Sequence, residues 1–308
     1  MSSRSSSGNF AFCSTACILM IERCAFAKIN IGLHVLGKRD DGYHSIATIF
    51  APLAFHDRIT IEPAHGLHIQ MVPSYGITER ENLVWRAATL LAKRLGCTSG
   101  AKITIEKHIP PGSGLGGGSS NAAATLLGLL ALWNRTLPDD ELRALALELG
   151  SDVPFFLRPQ LAYAEGRGEQ LTPLPPIAAR SVLVVLPNVS ISTSWAYAAL
   201  KRTGEHPRPR LLSDALVASA LDDALLRSVC TNDFELVVFA VHPELATIKE
   251  QLYNFGAQYA SLSGTGSALF GFFENRRAAL HAAAHMRNYR TVVTTIVTGA
   301  NDNTGSCS

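Results

Sequence analysis

The chain has no run of lysine and arginine, and its 27 basic residues are nearly balanced by 25 acidic ones, leaving a formal net charge of +2. That balance argues against a nucleic-acid binder, which would rely on phosphate neutralisation. No apolar run reaches the roughly 20 residues that a membrane span needs. Cysteine is sparse and scattered: Cys13, Cys17, Cys24, Cys97, Cys230 and Cys307 form neither a Cys-x-x-Cys pair nor a Cys/His cluster. Zinc is thereby disfavoured, and reduced thiols in a cytoplasmic protein fit better than a disulfide framework. Acidic residues are missing from the first twenty positions, which are Ser-rich and contain Arg4. This stretch superficially suits a transit peptide, and Phe10 to Ile21 a signal-peptide core, but residues 1–20 are expected to form a disordered extension. What is present is apolar: hydrophobic residues make up 47% of 308, enough for two units with substantial cores.

One stretch departs from ordinary usage. Pro110-Pro111-Gly112-Ser113-Gly114-Leu115-Gly116-Gly117-Gly118-Ser119-Ser120 sets five glycines between a strand pattern and a helix pattern. Glycine admits positive φ and removes the Cβ that would keep a ligand from the backbone amides. At a helix N-terminus those amides and the helix dipole favour an anion. Upstream, Lys102 to Ile109 alternates as a half-buried strand with Ile103, Ile105 and Ile109 on one face, and Lys107 falls on that apolar face. Downstream, Asn121 to Leu132 is apolar almost all round, as a buried helix is. A flexible linker joins solvated segments, whereas this one joins two core elements. The loop lacks the closing Gly-Lys-Ser/Thr of a Walker A sequence and is not a dinucleotide fingerprint, so alone it indicates only a phosphate site.

Elsewhere the spacing predicts a strand from Ala25, with Lys28 and Asn30 on the face opposite Ile29 and Ile31. A polar turn over residues 37–42 leads into a strand from Tyr43 to Phe50. Thr78 to Leu95 reads as an amphipathic helix whose Thr78-x-x-Glu81 resembles a capping box, placing Asn82 in the first turn. Leu137 to Leu149 is a helix stopped by Gly150. Asp152 follows, ahead of Val153-Pro154-Phe155-Phe156. A carboxylate in that setting is tied to a cation or used in chemistry, because burying it unpaired is costly, and Lys28 is the partner in kind. A composition shift near Glu165 to Pro176 marks a boundary between units. Beyond it come a strand (Ser181 to Leu186), a helix (Ser190 to Leu200), a Pro/Arg-rich polar loop, further helices, and the turn Ser263-Gly264-Thr265-Gly266-Ser267 between two strands. That turn is equally compatible with a plain hairpin.

In order, Ala27-Lys28-Ile29-Asn30, Asp41-Gly42-Tyr43-His44, the loop Pro110 to Ser120, Asp152 to Phe156 and Leu262 to Gly266 resemble the GHMP kinase superfamily from about Cys24 to about Asn301. The resemblance implies an α/β (α+β) two-domain GHMP kinase fold. Its N-terminal domain (21–166) would be like ribosomal protein S5 domain 2 and its C-terminal domain (167–308) a ferredoxin-like α/β domain. It implies ATP as co-substrate, Mg2+, a cytoplasmic monomer or weak homodimer, and small-molecule partners without nucleic acid or membrane. The Ala-Lys-x-Asn and Asp-Gly-Tyr-His pair is further similar to the branch acting on a cytidine diphosphate-linked methylerythritol in the non-mevalonate isoprenoid precursor pathway. By that resemblance Asp152 is the catalytic base and Lys28 its cationic partner. Asn82, Leu83, Lys107, Pro110, Gly112, Gly114, Leu115, Gly116, Gly117, Gly118, Ser119 and Ser120 would bind ATP. Tyr43 and Tyr197 would sandwich the cytosine, His44 would bond its edge, and Asn30 and Thr193 would place the rest of the substrate. Gly264, Thr265 and Gly266 would close the site, with Asp152 facing the substrate as well. No glutamate matches the superfamily's magnesium ligand, which leaves the metal ligands unassigned beyond Ser119 or Ser120. Ser113 and Ser151 stand where the family has Ala, and Tyr197 where it has Phe.

Overall fold

The computed structural model describes residues 20–176, 180–202 and 223–297. The N-terminal extension and the Pro/Arg-rich loop expected from the sequence lie outside the described residues. Two long strands, β1 (Ile21–Lys38) and β2 (His44–Ala64), form an antiparallel ribbon around which both units assemble. β2 gives one edge to β1. Its other edge is shared by β5 (Ala162–Glu165), pairing Thr48 to Phe50, and β4 (Gly100–Glu106), pairing Arg58 to Ala64. β3 (Leu67–Val72) adds parallel to β4, and β6 (Gln170–Pro173) antiparallel to β5, completing a six-stranded sheet. That sheet runs on past the break read at Gly166/Arg167, which falls in the β5–β6 turn, because β6 finds its partner in β5.

Helices α1 (Leu83–Leu95), α2 (Gly117–Leu132), α3 (Asp139–Leu149) and α4 (Val153–Leu157) lie over one core with Ile59, Ile61, Ile103 and Ile105. The capping box at Thr78 and Glu81 is present, but it caps a short 3-10 turn, Glu79–Glu81. The α-helix itself starts at Leu83, because the Asn82 side chain accepts from Val84 N and makes Asn82 the N-cap. α2 begins at Gly117, earlier than the apolar pattern alone indicates.

The second sheet runs in the order β10 (Arg290–Thr295), β7 (Ser181–Leu186), β9 (Leu269–Phe273), β8 (Tyr259–Leu262), all antiparallel. One face takes α7 (Phe234–Val241), α8 (Pro243–Asn254) and α9 (Arg276–His285), in a core built on Leu183, Val185, Leu262 and Phe273. The other face packs Val182, Val184, Phe270 and Phe272 against Ile29, Ile31, Ile49 and Leu53 of the ribbon. Alternation along β7 therefore feeds two cores, which is why Ser181 to Leu186 is buried throughout. The remaining helices, α5 (Thr193–Leu200) and α6 (Asp223–Val229), edge this unit.

Cys97 and Cys230 carry free thiols, while Cys24 is disulfide-bonded. This corrects the expectation of thiols throughout; spacing along a chain does not report which sulfurs folding brings together. Among the described residues no helix is long and apolar enough to cross a membrane.

Tyr259 ties the units at their seam. Its hydroxyl donates to Cys230 O at 2.5 Å and accepts from Gly32 N at 3.3 Å, with the ring 2% exposed. Burial, followed by the neighbouring Cys230, pushes its pKa well up, so it stays a donor. Tyr259→Phe keeps the ring but strands both backbone groups, and should cost about 1–3 kcal/mol by chemical denaturation. An unchanged midpoint would show that the hydroxyl bridge does not hold the seam.

Candidate active site

The chain leaves β4 because of a carboxylate. Asp57 is 0% exposed on β2. Its Oδ1 accepts from His108 N at 2.7 Å and Ile109 N at 2.8 Å, and its Oδ2 from Asn121 Nδ2 at 2.8 Å and from the Lys107 ammonium. A buried charge demands such donors. Strand pairing therefore stops short of Ile109: Lys107 N still donates to Val72 O on β3 at 2.7 Å, and the amides of His108 and Ile109 turn to Asp57. Lys107 is 5% exposed and committed to this pair; burial pulls its pKa down against the opposing pull of Asp57. It abuts α2: a Cβ on Gly117 would stand 2.9 Å from its Nζ.

The glycine loop follows at once. Gly116, the N-cap of α2, has φ +71°, and a Cβ there would lie 2.7 Å from the Phe156 ring and 3.1 Å from the Lys28 stem. The first intrahelical bond runs from Ser120 N to Gly116 O at 2.9 Å. By helix geometry the amides of Gly117, Gly118 and Ser119 then have no carbonyl in their own helix, the arrangement that receives a phosphate. A Cβ on Gly118 would meet nothing within 4 Å. Ser120 is 2% exposed, and Leu115 is buried with its carbonyl accepting from Lys28 N at 2.9 Å.

Two bonds stitch this loop to the turn 263–267 of the second unit and the residue after it, and a third closes the turn on itself. Ser263 Oγ donates to Gly114 O at 3.0 Å, Ala268 N donates to Ser113 O at 3.0 Å, and within the turn Gly266 N donates to Ser263 O at 2.9 Å. Ser113 Oγ donates to Pro110 O at 2.7 Å. Gly114, at φ +78°, has room for no side chain: a Cβ would lie 2.1 Å from Ser263 O.

Between these walls is a cavity of 170 Å³ lined by Lys28, Asn30, Gly114, Gly116, Asp152, Arg167, Thr193, Tyr197, Phe234, Gly264 and Thr265, among others. Lys28 Nζ lies 3.5 Å from Asp152 Oδ2; the lysine side chain is 6% exposed and the carboxylate 31%. The ammonium also donates to Asn30 Oδ1 at 2.6 Å and stands 4.7 Å from the centre of the Phe50 ring. Thr193 Oγ1 and Thr265 Oγ1 meet across the mouth at 3.3 Å.

Not every expected neighbour is adjacent. His44 stacks directly on Tyr197, centroids 4.8 Å apart and planes at 25°, with Phe234 edge-on behind. Tyr43 is 53% exposed, and its ring is covered by the Arg167 guanidinium at 4.4 Å. Burial, then Lys38, holds the His44 pKa below the usual histidine value; burial, then Asp152, raises that of Tyr197. Of the expected nucleotide and substrate residues, Tyr43, His44, Asn82, Leu83, Lys107, Pro110, Gly112, Leu115, Gly117, Gly118, Ser119, Ser120 and Gly266 are outside the cavity lining.

Sequence reasoning missed Asp57, Thr48, Arg167 and Asn232. Asp57 had a signal, for it shares the parity of Ile59 and Ile61, the same observation made for Lys107. Asn232, 3% exposed, donates to Leu262 O at 2.9 Å and Gly264 O at 2.8 Å, which holds the second turn in place. Among the described residues no group of three or more His, Cys, Asp or Glu is placed to hold a metal ion.

The GHMP kinases N terminal domain matches residues 82–159, and the GHMP kinases C terminal domain matches residues 198–290. The 4-diphosphocytidyl-2-C-methyl-D-erythritol kinase of Chlorobium luteolum is 40% identical over 272 residues, covering 88% of this chain and 95% of its own. That of Chlorobium phaeobacteroides is 42% identical over 279 residues, with coverage of 88% and 95%. A crystal structure of 4-(cytidine 5'-diphospho)-2C-methyl-D-erythritol kinase superimposes with a TM-score of 0.76 at 38% identity, over 91% of this chain and 100% of that one. A homoserine kinase from Cytophaga hutchinsonii, 18% identical, shares the fold with a TM-score of 0.71 over 95% and 98%.

Gly114→Ala tests the stitched loops. The added methyl must push Ser263 away, costing about 1–3 kcal/mol of stability; a displacement of that size at a reacting centre costs about 100-fold in turnover. Melting temperature and ADP release check both, and near-normal turnover would separate the stitching from the chemistry.

Proposed function

The chain belongs to the GHMP kinases and, within them, to the 4-diphosphocytidyl-2-C-methyl-D-erythritol kinases, and from that premise we propose how its residues divide the work. The reaction is ATP-dependent phosphorylation of 4-diphosphocytidyl-2-C-methyl-D-erythritol, the γ-phosphoryl going to the 2-hydroxyl. The observation that carries the assignment is the Lys28–Asp152 pair, set in the cavity between the glycine loop and the second turn.

Such a transfer asks mainly for positioning and charge stabilisation, with a base for the alcohol proton. Asp152, partly exposed, takes that proton on its carboxylate. Lys28 lies beside it and offsets negative charge on the transferred group. The amides of Gly117, Gly118 and Ser119 hold the ATP phosphates, and Lys107, through Asp57, sets the loop that carries them. Asn82 and Leu83, at the start of α1, flank the nucleotide.

The cytosine occupies the aromatic mouth of Tyr43, His44 and Tyr197, where Arg167 and His44 cover the ring faces in this structure. Held neutral, His44 offers the base edge one donor and one acceptor. Thr193, Thr265 and the flanking glycines close over the substrate. Magnesium needs few protein ligands where phosphates and water supply the rest, and the donor set here fits that mode. Ser119, in the first turn of α2, is the side chain that would hold it, and its chemistry would be neutralisation of phosphate charge. A monomer or weak homodimer working in the cytoplasm completes this reading.

ADP release would be measured with 4-diphosphocytidyl-methylerythritol, its uridine analogue, homoserine and mevalonate in parallel. Turnover confined to the cytidine compound is the expected result, and turnover with homoserine or mevalonate would overturn the base pocket. Asp152→Asn should lower kcat about 10²–10⁴-fold with ATP affinity retained; near-normal turnover removes Asp152 from the base role. Because burial, then Lys38, makes His44 take its proton at lower pH than an ordinary histidine, KM for the cytidine substrate should rise only under the pH at which a free imidazole charges. A rise that begins at higher pH would take His44 out of base recognition.

A further inference from the structure

Thr48 is 0% exposed on β2 and does not line the cavity. It sits in a single line of hydrogen bonds that ends at the reacting groups. Thr48 Oγ1 donates to Gly32 O, Asn30 Nδ2 donates to Thr48 Oγ1 at 3.0 Å, and Lys28 Nζ donates to Asn30 Oδ1 at 2.6 Å. Lys28 Nζ in turn stands 3.5 Å from Asp152 Oδ2.

The polarity of this line is set at both ends, by an ammonium that can only donate and by a carbonyl that can only accept. A backbone carbonyl can only accept, so the single hydroxyl hydrogen of Thr48 is committed to Gly32 O. The threonine oxygen is then left as an acceptor. Asn30 must present its NH₂ end to it, which aims the amide oxygen at the ammonium. With the amide turned over, Asn30 would set N–H against N–H at Lys28. The carbonyl end is itself held: Gly32 has φ +67°, and a Cβ there would come within 3.0 Å of Cys230 Cα.

We propose that Thr48 is a positioning residue for phosphoryl transfer, orienting the Asn30 amide so that Lys28 is held toward Asp152. The proposal rests on the roles given above to Lys28 and Asp152. It also gives Asn30 a task besides contact with substrate: as acceptor it takes one of the three ammonium hydrogens and leaves the others for Asp152 and the reacting groups.

The test compares Thr48→Val, which keeps the shape and removes the hydroxyl, with Thr48→Ser, which keeps the hydroxyl and removes a methyl. Lys28→Met and Asp152→Asn are assayed beside them, and all are followed by melting temperature, kcat and both KM values. Thr48→Val should lower kcat about tenfold or more with KM for ATP within about twofold of the parent, as expected for a misaligned group at the reacting centre. Thr48→Ser should recover most of that loss. Equal impairment of the two variants would assign the effect to packing and overturn the proposal, as would a normal kcat in Thr48→Val. If Thr48→Val melts below the assay temperature, Thr48→Ala against Thr48→Ser decides by the same criterion. Normal turnover in Lys28→Met and Asp152→Asn would overturn the underlying roles instead, an outcome distinguishable from a silent Thr48→Val in a protein where both of those variants are impaired.

Discussion

A fully buried carboxylate sets the geometry on which the site depends. Asp57 has no access to water, and an ion in that position survives only with its lone pairs filled. Its donors come from three consecutive residues, Lys107, His108 and Ile109, and from Asn121 inside α2. The strand before the loop and the helix after it are therefore pinned to one point on β2. Between the pins the glycine loop is short and dense in left-handed residues, with Gly112, Gly114 and Gly116 all at positive φ. Freedom in the unfolded chain becomes a defined curve in the folded one, because both ends are fixed by the same charge.

The second unit supplies the other wall, and polar bonds align it. Ser263 reaches Gly114, Ala268 reaches Ser113, and Asn232 spans the carbonyls of Leu262 and Gly264. Leu33 N donates to Thr231 O and Asp233 N donates to Leu33 O, both at 2.9 Å, so the segment carrying Asn232 is bound to β1 itself. β1 also carries Lys28 and Asn30. One strand thus references the cation, the glycine loop through Leu115, and the second turn through Asn232. Each is an oriented hydrogen bond in a buried setting, where losing a partner costs more than the bond adds in water.

Several features were legible from residue order. The glycine loop between a strand and a buried helix, the Asp152 carboxylate ahead of an apolar run, and the Lys28-x-Asn30 spacing on one strand face are local patterns, and the GHMP architecture follows the resemblance they carry. Boundaries were read less well wherever a side chain outbid the backbone. The chain turns away before Ile109 because Asp57 takes the amides of His108 and Ile109, and α1 starts at Leu83 because Asn82 caps it. Lys107 was visible as a cation on an apolar face, but its counterion lies fifty positions earlier in the chain.

Periodicity and composition are properties of neighbours in sequence, and they determined the element types and the position of the glycine loop between a strand and a buried helix, since each follows from spacing of a few residues. Pairings are properties of the closed fold. That Lys28 meets Asp152, that His44 and not Tyr43 lies on Tyr197, and that Asn30 bridges Lys28 and Thr48 were decided only by tertiary structure. The reason is physical: a hydrogen bond or ion pair is specified to a few tenths of an ångström by packing between distant segments, and no local pattern encodes that distance.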